Sequence, residues 1–190
     1  MGRIVTLLAL LIASAVLAAC ATLSQEQCQA GDWRAIGLED GARGRPADYV
    51  ANHVDACSEY GIGVDQARYA EGRADGLEVY CRLDTAQSEG LQGNRYYNVC
   101  PGAVGLGFSQ VHRAALEVYE AEAELDSLES ELDRLVAQLS RPDLSEDDRA
   151  RLRTQLRRLE TDENRAERSQ RLAEQRQVST RREAEIALRG

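Results

Sequence analysis

The stretch Val111–Leu139, VHRAALEVYEAEAELDSLESELDRLVAQL, places apolar residues at Val111, Ala114, Val118, Ala121, Leu125, Leu128, Leu132, Leu135 and Leu139. The steps alternate 3 and 4 without a break, which is the period of a coiled-coil seam. Pro142 stops it, because proline cannot continue a helix. Ser145 with Asp148 then reads as a capping box for a second helix, seamed by Leu152, Leu156, Leu159, Ala166 and Ala173. Folded back about Arg141–Pro142–Asp143, Leu139 would face Leu152, Leu135 would face Leu156, and Leu132 would face Leu159. Charge fits the same pairing. Residues 111–139 carry 2 Arg against 8 acids and residues 145–190 carry 12 Arg against 10, and opposite-signed arms favour an antiparallel hairpin. The expectation for residues 105–190 is a hairpin that satisfies its seam within one chain, stays monomeric and offers its surface to a protein partner. Glu163, Gln170 and Gln177 fall on outer seam positions, so the tail past residue 174 is expected to fray or to seek a partner.

Upstream the physics changes. Residues 28–104 hold Cys28, Cys57, Cys81 and Cys100, the only Trp and six of the seven Tyr. Pro101–Gly102, Gly105 and Gly107 form a breaker cluster that reads as the hinge between two regions. So small a region has little core, and stapling matters. Three short helices are expected. Asp32 caps the first, which carries Trp33, Ile36, Gly37, Asp40 and Gly41 and stops near Gly44. The second starts at Pro46, shows Val50, Val54 and Cys57 on one face, and ends at Gly61. Asp65 caps the third, with Tyr69, Gly72, Gly76, Leu77 and Tyr80 at helical spacing. Each of Gly37-x-x-x-Gly41 and Gly72-x-x-x-Gly76 weakens its helix by about 1 kcal/mol per glycine. Close helix–helix contact, with an aromatic ring over the missing side chains, would offset that. Residues 82–100 read as an irregular loop or short hairpin.

The start of the chain reads as an address. Met1–Gly2–Arg3 precedes an apolar run from Ile4 to Leu17, too short for a bilayer span of about 20 residues. It has the length of a secretory h-region. Leu17–Ala18–Ala19–Cys20 resembles the lipobox of bacterial lipoproteins, which implies a signal peptide over 1–19, acylation (a palmitate-type chain) on Cys20 and an anchor linker over 20–27. Ala21 rather than Asp after Cys20 implies, by the same resemblance, the outer membrane on its periplasmic side. The remaining four cysteines then read as two disulfides with three possible connectivities. If the second helix folds antiparallel on the first, Cys28 meets Cys57 and Cys81 meets Cys100. No C-x-x-C pair is present, and neither a metal nor a cofactor is expected.

The string Cys28-x-x-Gly31–Asp32–Trp33-x-x-Ile36–Gly37-x-x-Asp40–Gly41-x-x-Gly44 resembles a family of small proteobacterial envelope proteins, mostly lipoproteins, that share a domain of unknown function. His53, Cys57, Gly61, Asp65, Tyr69, Gly72–Arg73, Gly76–Leu77, Tyr80–Cys81, Gly93, Tyr97 and Cys100–Pro101 belong to the same pattern. The likeness covers residues 28–101. It implies a disulfide-stapled helical domain at the envelope and carries over no catalytic residue.

The formal net charge is −9, and all 23 basic residues are Arg. An acidic chain without a basic patch argues against nucleic acid as a partner. The polar candidates are Asp40, His53, Asp65 and Arg73. His53 lies one residue off the Val50–Val54 face, where its imidazole could meet Asp40 or Arg73. Such a pair suits either general-base chemistry or a buried, satisfied polar tie, and the tie is preferred. His112 reads as a solvated surface residue. Fold and function then read together as an all-α, lipid-anchored envelope protein: a stapled three-helix domain followed by a coiled-coil hairpin, with a structural or interaction role and no catalysis. One alternative is a binding module for a cell-wall or carbohydrate ligand, which needs Trp33 or several tyrosines in the open. Another is a small envelope enzyme, which needs His53 and Asp40 on the floor of a cleft.

Overall fold

A computed structural model describes residues 22–189. Cys20 and the expected signal peptide lie outside the described residues. The described chain is all helical: α1 (Gln25–Ala30), α2 (Trp33–Ala42), a 3-10 turn (Ala47–Tyr49), α3 (Val50–Ser58), α4 (Gln66–Tyr80), α5 (Leu83–Leu91), α6 (Gly102–Leu139) and α7 (Glu146–Ala187). It divides into two compact units, one ending at Tyr80 and the other beginning at Cys81.

In the first unit α1, α2 and α4 start where a side chain satisfies free N–H groups. Ser24 and Gln27 form a capping box for α1, Asp32 accepts from the Ala35 N–H, and Asp65 accepts from the Arg68 N–H. The segment expected as a linker up to residue 27 is therefore folded from Thr22 onward. Leu23 is 5% exposed and packs in one core with Cys28, Trp33, Cys57 and Tyr69. A large apolar side chain beside a disulfide is buried more favourably than it is left in water.

The main contact of this unit joins α2 to α4, backbone against backbone. A Cβ added to Gly37 or Gly41 would lie closer than 3.0 Å to the Tyr69 or Arg73 carbonyl group, and one on Gly72 or Gly76 would meet the Arg34 or Leu38 carbonyl oxygen. Four residues along one helix match four along the other, so α2 and α4 run parallel, with α3 as the connection between them. The atoms nearest these glycines belong to the facing backbone rather than to a ring; the ring of Tyr80 lies over Gly44. Gly44 has φ +66° and ends α2 with the Arg45 N–H on the Asp40 carbonyl, a cap that needs the left-handed region. Cys28 is bonded to Cys57 with Cα atoms 5.6 Å apart, and Cys81 to Cys100 at the same separation, one of the three connectivities open from sequence.

The second unit departs from expectation in several places. Residues 82–100 contain a helix, α5, rather than only a loop. Gly90 is the point where α5 touches α6: a Cβ there would lie within 3.0 Å of the His112 carbonyl oxygen and the Ala115 side chain. The glycine cluster after Pro101 is not a hinge. Pro101 caps α6, and Gly105 and Gly107 lie within its first turns; Gly105 leaves room for the Cys100 carbonyl. The division of the chain falls at Tyr80–Cys81 instead of near residue 104, because α5 and the Cys81–Cys100 bridge pack with α6.

The helices α6 and α7 form the antiparallel hairpin. Glu117 pairs with Arg176 at 3.0 Å, the Leu139 carbonyl accepts from Arg149, and Gly107 lies beside Ala184. Ser145 caps α7 by accepting from the Asp148 N–H at 3.1 Å. The tail past residue 174 does not fray. Ala184 is 2% exposed, and Arg181 bonds Asp84 and Gln87 of α5, a helix in the stretch that reads from sequence as a loop.

Candidate functional site

The strongest polar cluster is buried in the first unit. Asp40, near the end of α2, is 5% exposed, and His53 on α3 is 3% exposed. His53 Nε2 lies 2.7 Å from Asp40 Oδ2. The Tyr69 hydroxyl on α4 donates to the same oxygen at 2.8 Å. On its other side, His53 Nδ1 lies 2.8 Å from Thr22 Oγ1, and Thr22 donates to the Asn52 carbonyl at 3.1 Å. One carboxylate thus links three helices and the segment before α1.

The local sequence sets this up. Asp40 occupies the last turn of α2, one residue before Gly41, so the carboxylate lies beside the close α2–α4 contact. The ring of Tyr49 meets His53 edge-on at 5.4 Å and His53 meets Tyr69 at 5.7 Å, which leaves the imidazole little freedom. Burial pushes the Asp40 carboxyl up, but hydrogen bonds from His53 and Tyr69, with the charges of His53 and Arg45, outweigh it and hold the group below the ordinary carboxylate value. Burial, reinforced by the hydrogen bond to Asp40, pushes the Tyr69 phenol up.

Arg73 does not join this cluster. Its guanidinium donates twice, at 2.9 and 2.7 Å, to the Arg45 carbonyl just past the Gly44 cap. Asp65 serves as a helix cap. Thr22 and Tyr69 are the members that sequence reasoning missed. Tyr69 looked like core, and Thr22 fell in a segment expected to be a tether; a hydroxyl beside an apolar Leu at the start of a capping box was the available signal.

Hydroxyl, imidazole and carboxylate stand here in the order of a nucleophilic relay. Chemically the arrangement does less, because the Thr22 proton is engaged by the Asn52 carbonyl and Asp40 is shared with Tyr69. Every polar member has a partner, as expected of a buried tie. Trp33 is 6% exposed and belongs to the core, so it offers no stacking face. Tyr60, Tyr97 and Tyr119 keep 40 to 45% exposure. Among the described residues no group of His, Cys, Asp and Glu is arranged to hold a metal ion, and no helix is long and apolar enough to cross a membrane.

The second unit carries a parallel feature. His112 is 6% exposed rather than solvated, and its Nε2 lies 2.8 Å from the Asn94 carbonyl, just past Gly93. Beside it opens a cleft of about 500 Å³ lined by Tyr96, Asn98, Arg113, Tyr119 and Glu120 among others.

The chain has no match among curated proteins or solved structures. From the Asp32 cap of α2 to Glu117 on α6, spanning both glycine-contact helix pairs, residues 32–117 match the model of the family described as Protein of unknown function (DUF2799), so this part of the chain is a domain similar to that family.

Proposed function

We propose that the chain is a lipid-anchored envelope protein with a structural or protein-interaction role, held at the periplasmic face of the outer membrane through Cys20, and that the α6–α7 hairpin is the part that meets a protein partner. Support for the anchor is the h-region and the lipobox-like Leu17–Ala18–Ala19–Cys20. The observation that carries the partner reading is the state of the hairpin seam. Near its base α6 buries Val111, Ala114, Ala115 and Val118 against its neighbours. Beyond Ala121, Leu125, Leu128, Leu132 and Leu139 are only half-buried, as are Leu152, Leu156 and Leu159 on α7. Two helices alone leave the edges of a Leu seam open, and a partner helix would cover them. At 38 residues α6 reaches about 57 Å at ~1.5 Å per residue. The buried Asp40–His53 pair fits a structural tie within the domain.

The test is a photo-crosslinker at Val136, 51% exposed on the arm, in intact cells. A discrete adduct with another envelope protein is expected. It should vanish when 126–132 and 159–165 are both deleted, which shortens each helix by one heptad and preserves their register. A concentration-dependent dimer of the chain itself, seen by light scattering of the protein lacking residues 1–20, would replace the partner by a second copy.

A further inference from the structure

The described fold of the first unit begins two residues after Cys20, at Thr22. Leu23 is sealed in the core with Cys28, Trp33, Cys57 and Tyr69. Thr22 is bonded to His53 and to the Asn52 carbonyl. Only Ala21 separates the fixed Thr22 from Cys20, and two steps of ~3.8 Å span at most about 7.6 Å. Subtracting the hydrocarbon core from the whole bilayer leaves a headgroup layer of roughly 5–8 Å on each side. An acyl chain carried on Cys20 enters the hydrocarbon at the inner edge of that layer. Thr22 then lies at the level of the headgroups.

We propose that the corner made by the exposed Thr22 and Asn52, above the buried His53, rests directly on the lipid surface, so that the first unit is seated on the membrane by its fold rather than hung from it by a tether. This rests on the anchor reading above. The chemistry of the corner selects the surface. Residues 47–59 expose Asp48, Asp55 and Glu59 and contain no Arg. A basic patch able to adsorb to anionic lipid is therefore missing from this segment, and the surface that fits is zwitterionic phospholipid. The buried Asp40–His53–Tyr69 tie acquires a purpose in this reading: it fixes Thr22, two residues from the anchor, to three helices, and with it the orientation of the unit on the bilayer.

The only Trp of the chain, Trp33, lies in the same core as Leu23 and serves as the probe. Lipidated protein is reconstituted in phosphatidylcholine vesicles containing a dansyl-headgroup lipid, and energy transfer from Trp33 is measured. The comparison is a variant with 20 Gly/Ser residues inserted between Ala21 and Thr22, which adds a root-mean-square reach of about 25 Å. The insertion leaves Thr22 and everything after it in place, and an unchanged thermal transition confirms the fold. The wild type is expected to transfer strongly and the insertion variant to lose most of that transfer. Mass spectrometry of the N-terminal peptide separates the two ways of failing. An unmodified Cys20 overturns the anchor reading and this proposal with it. A modified Cys20 with equal transfer in the two proteins, high or low, overturns the seating alone.

Discussion

Set side by side, the two units use the same frame for different ends. In each, two helices run parallel in glycine-mediated contact: α2 with α4, and α5 with α6. The first helix ends on Asp40–Gly41-x-x-Gly44 in one and Glu89–Gly90-x-x-Gly93 in the other, with Gly44 and Gly93 both at positive φ and matching cap hydrogen bonds. The second helices share a run, Gly76–Leu77–Glu78–Val79–Tyr80 and Ala115–Leu116–Glu117–Val118–Tyr119. Tyr80 lies over Gly44 and Tyr119 over Gly93. Even the tie past the cap is matched: Arg73 holds the Arg45 carbonyl, and His112 contacts that of Asn94.

What fills the frame differs. The long connection of the first unit supplies His53, which with Asp40 and Tyr69 makes a charged, buried tie. The short connection of the second supplies Tyr96, whose ring lies tilted against Phe108, at the position matching Tyr69, with centroids 4.5 Å apart. Tyr80 is 3% exposed and Tyr119 is 42% exposed. A frame made by backbone contact tolerates either filling, because its close approach depends on missing side chains rather than on the residues packed around it. One copy is closed at Tyr80. In the other, the second helix runs on into the arm.

The sharpest way to break the comparison is at the frame. Gly72→Ala puts a Cβ onto the Arg34 carbonyl oxygen, and two backbones must move apart. Overpacking of this kind costs about 3 kcal/mol or more, enough to remove the first transition in a thermal melt followed by hydrogen exchange. Gly90→Ala should do the same to the second unit and spare the first.

Next comes the filling. Asp40→Ala leaves His53 and the Tyr69 hydroxyl buried without their acceptor and is expected to cost about 3–5 kcal/mol, whereas Glu89→Ala, at the matching but half-buried position, should cost well under half of that. The pH profile sharpens this. The Asp40 carboxyl is lowered in the folded state from the ordinary 3.8, so its contribution is fully present above that value and is lost as pH falls past it. Tyr69 is raised from 10.0, so its contribution is present below pH 10 and is lost above it. Urea midpoints of the first unit should fall at both ends. Asp40→Asn should flatten the acid limb; an unchanged limb would locate the acid sensitivity elsewhere.

A smaller effect is expected in the arm. Leu135 is 8% exposed, and Leu135→Asp should cost about 2–3 kcal/mol there, melting helix by circular dichroism while the first unit keeps its transition. The smallest is Tyr69→Phe, which brings the first unit to the residue the second unit carries at Phe108 and removes one hydrogen bond, about 1 kcal/mol by chemical denaturation.

Much of this was readable beforehand. The 3–4 steps from Val111 to Leu139, the stop at Pro142 and the cap at Ser145 specify a hairpin, because periodicity and breakers act within a few residues of themselves. Asp32, Gly44 and Asp65 mark helix ends for the same reason. The residues of the polar cluster were nameable, Asp40 and His53 among them, but not their full set of partners. Thr22 lies in a stretch that reads as a tether, Arg73 reads as one of two alternative partners of His53, and His112 reads as a surface residue.

Sequence alone determined the elements whose causes are local: helix caps, the coiled-coil period, the need for disulfides in a small core. Tertiary structure decided what a glycine means. Gly41 falls in a segment that reads as a helix and Gly90 in one that reads as an irregular loop or short hairpin, yet at both a second backbone passes. That choice depends on a helix some thirty residues away, and no local pattern encodes which helix it will be. The same holds for the burial of Thr22, Asp40 and His53 together, since a polar side chain can leave water only where the rest of the fold brings it a partner.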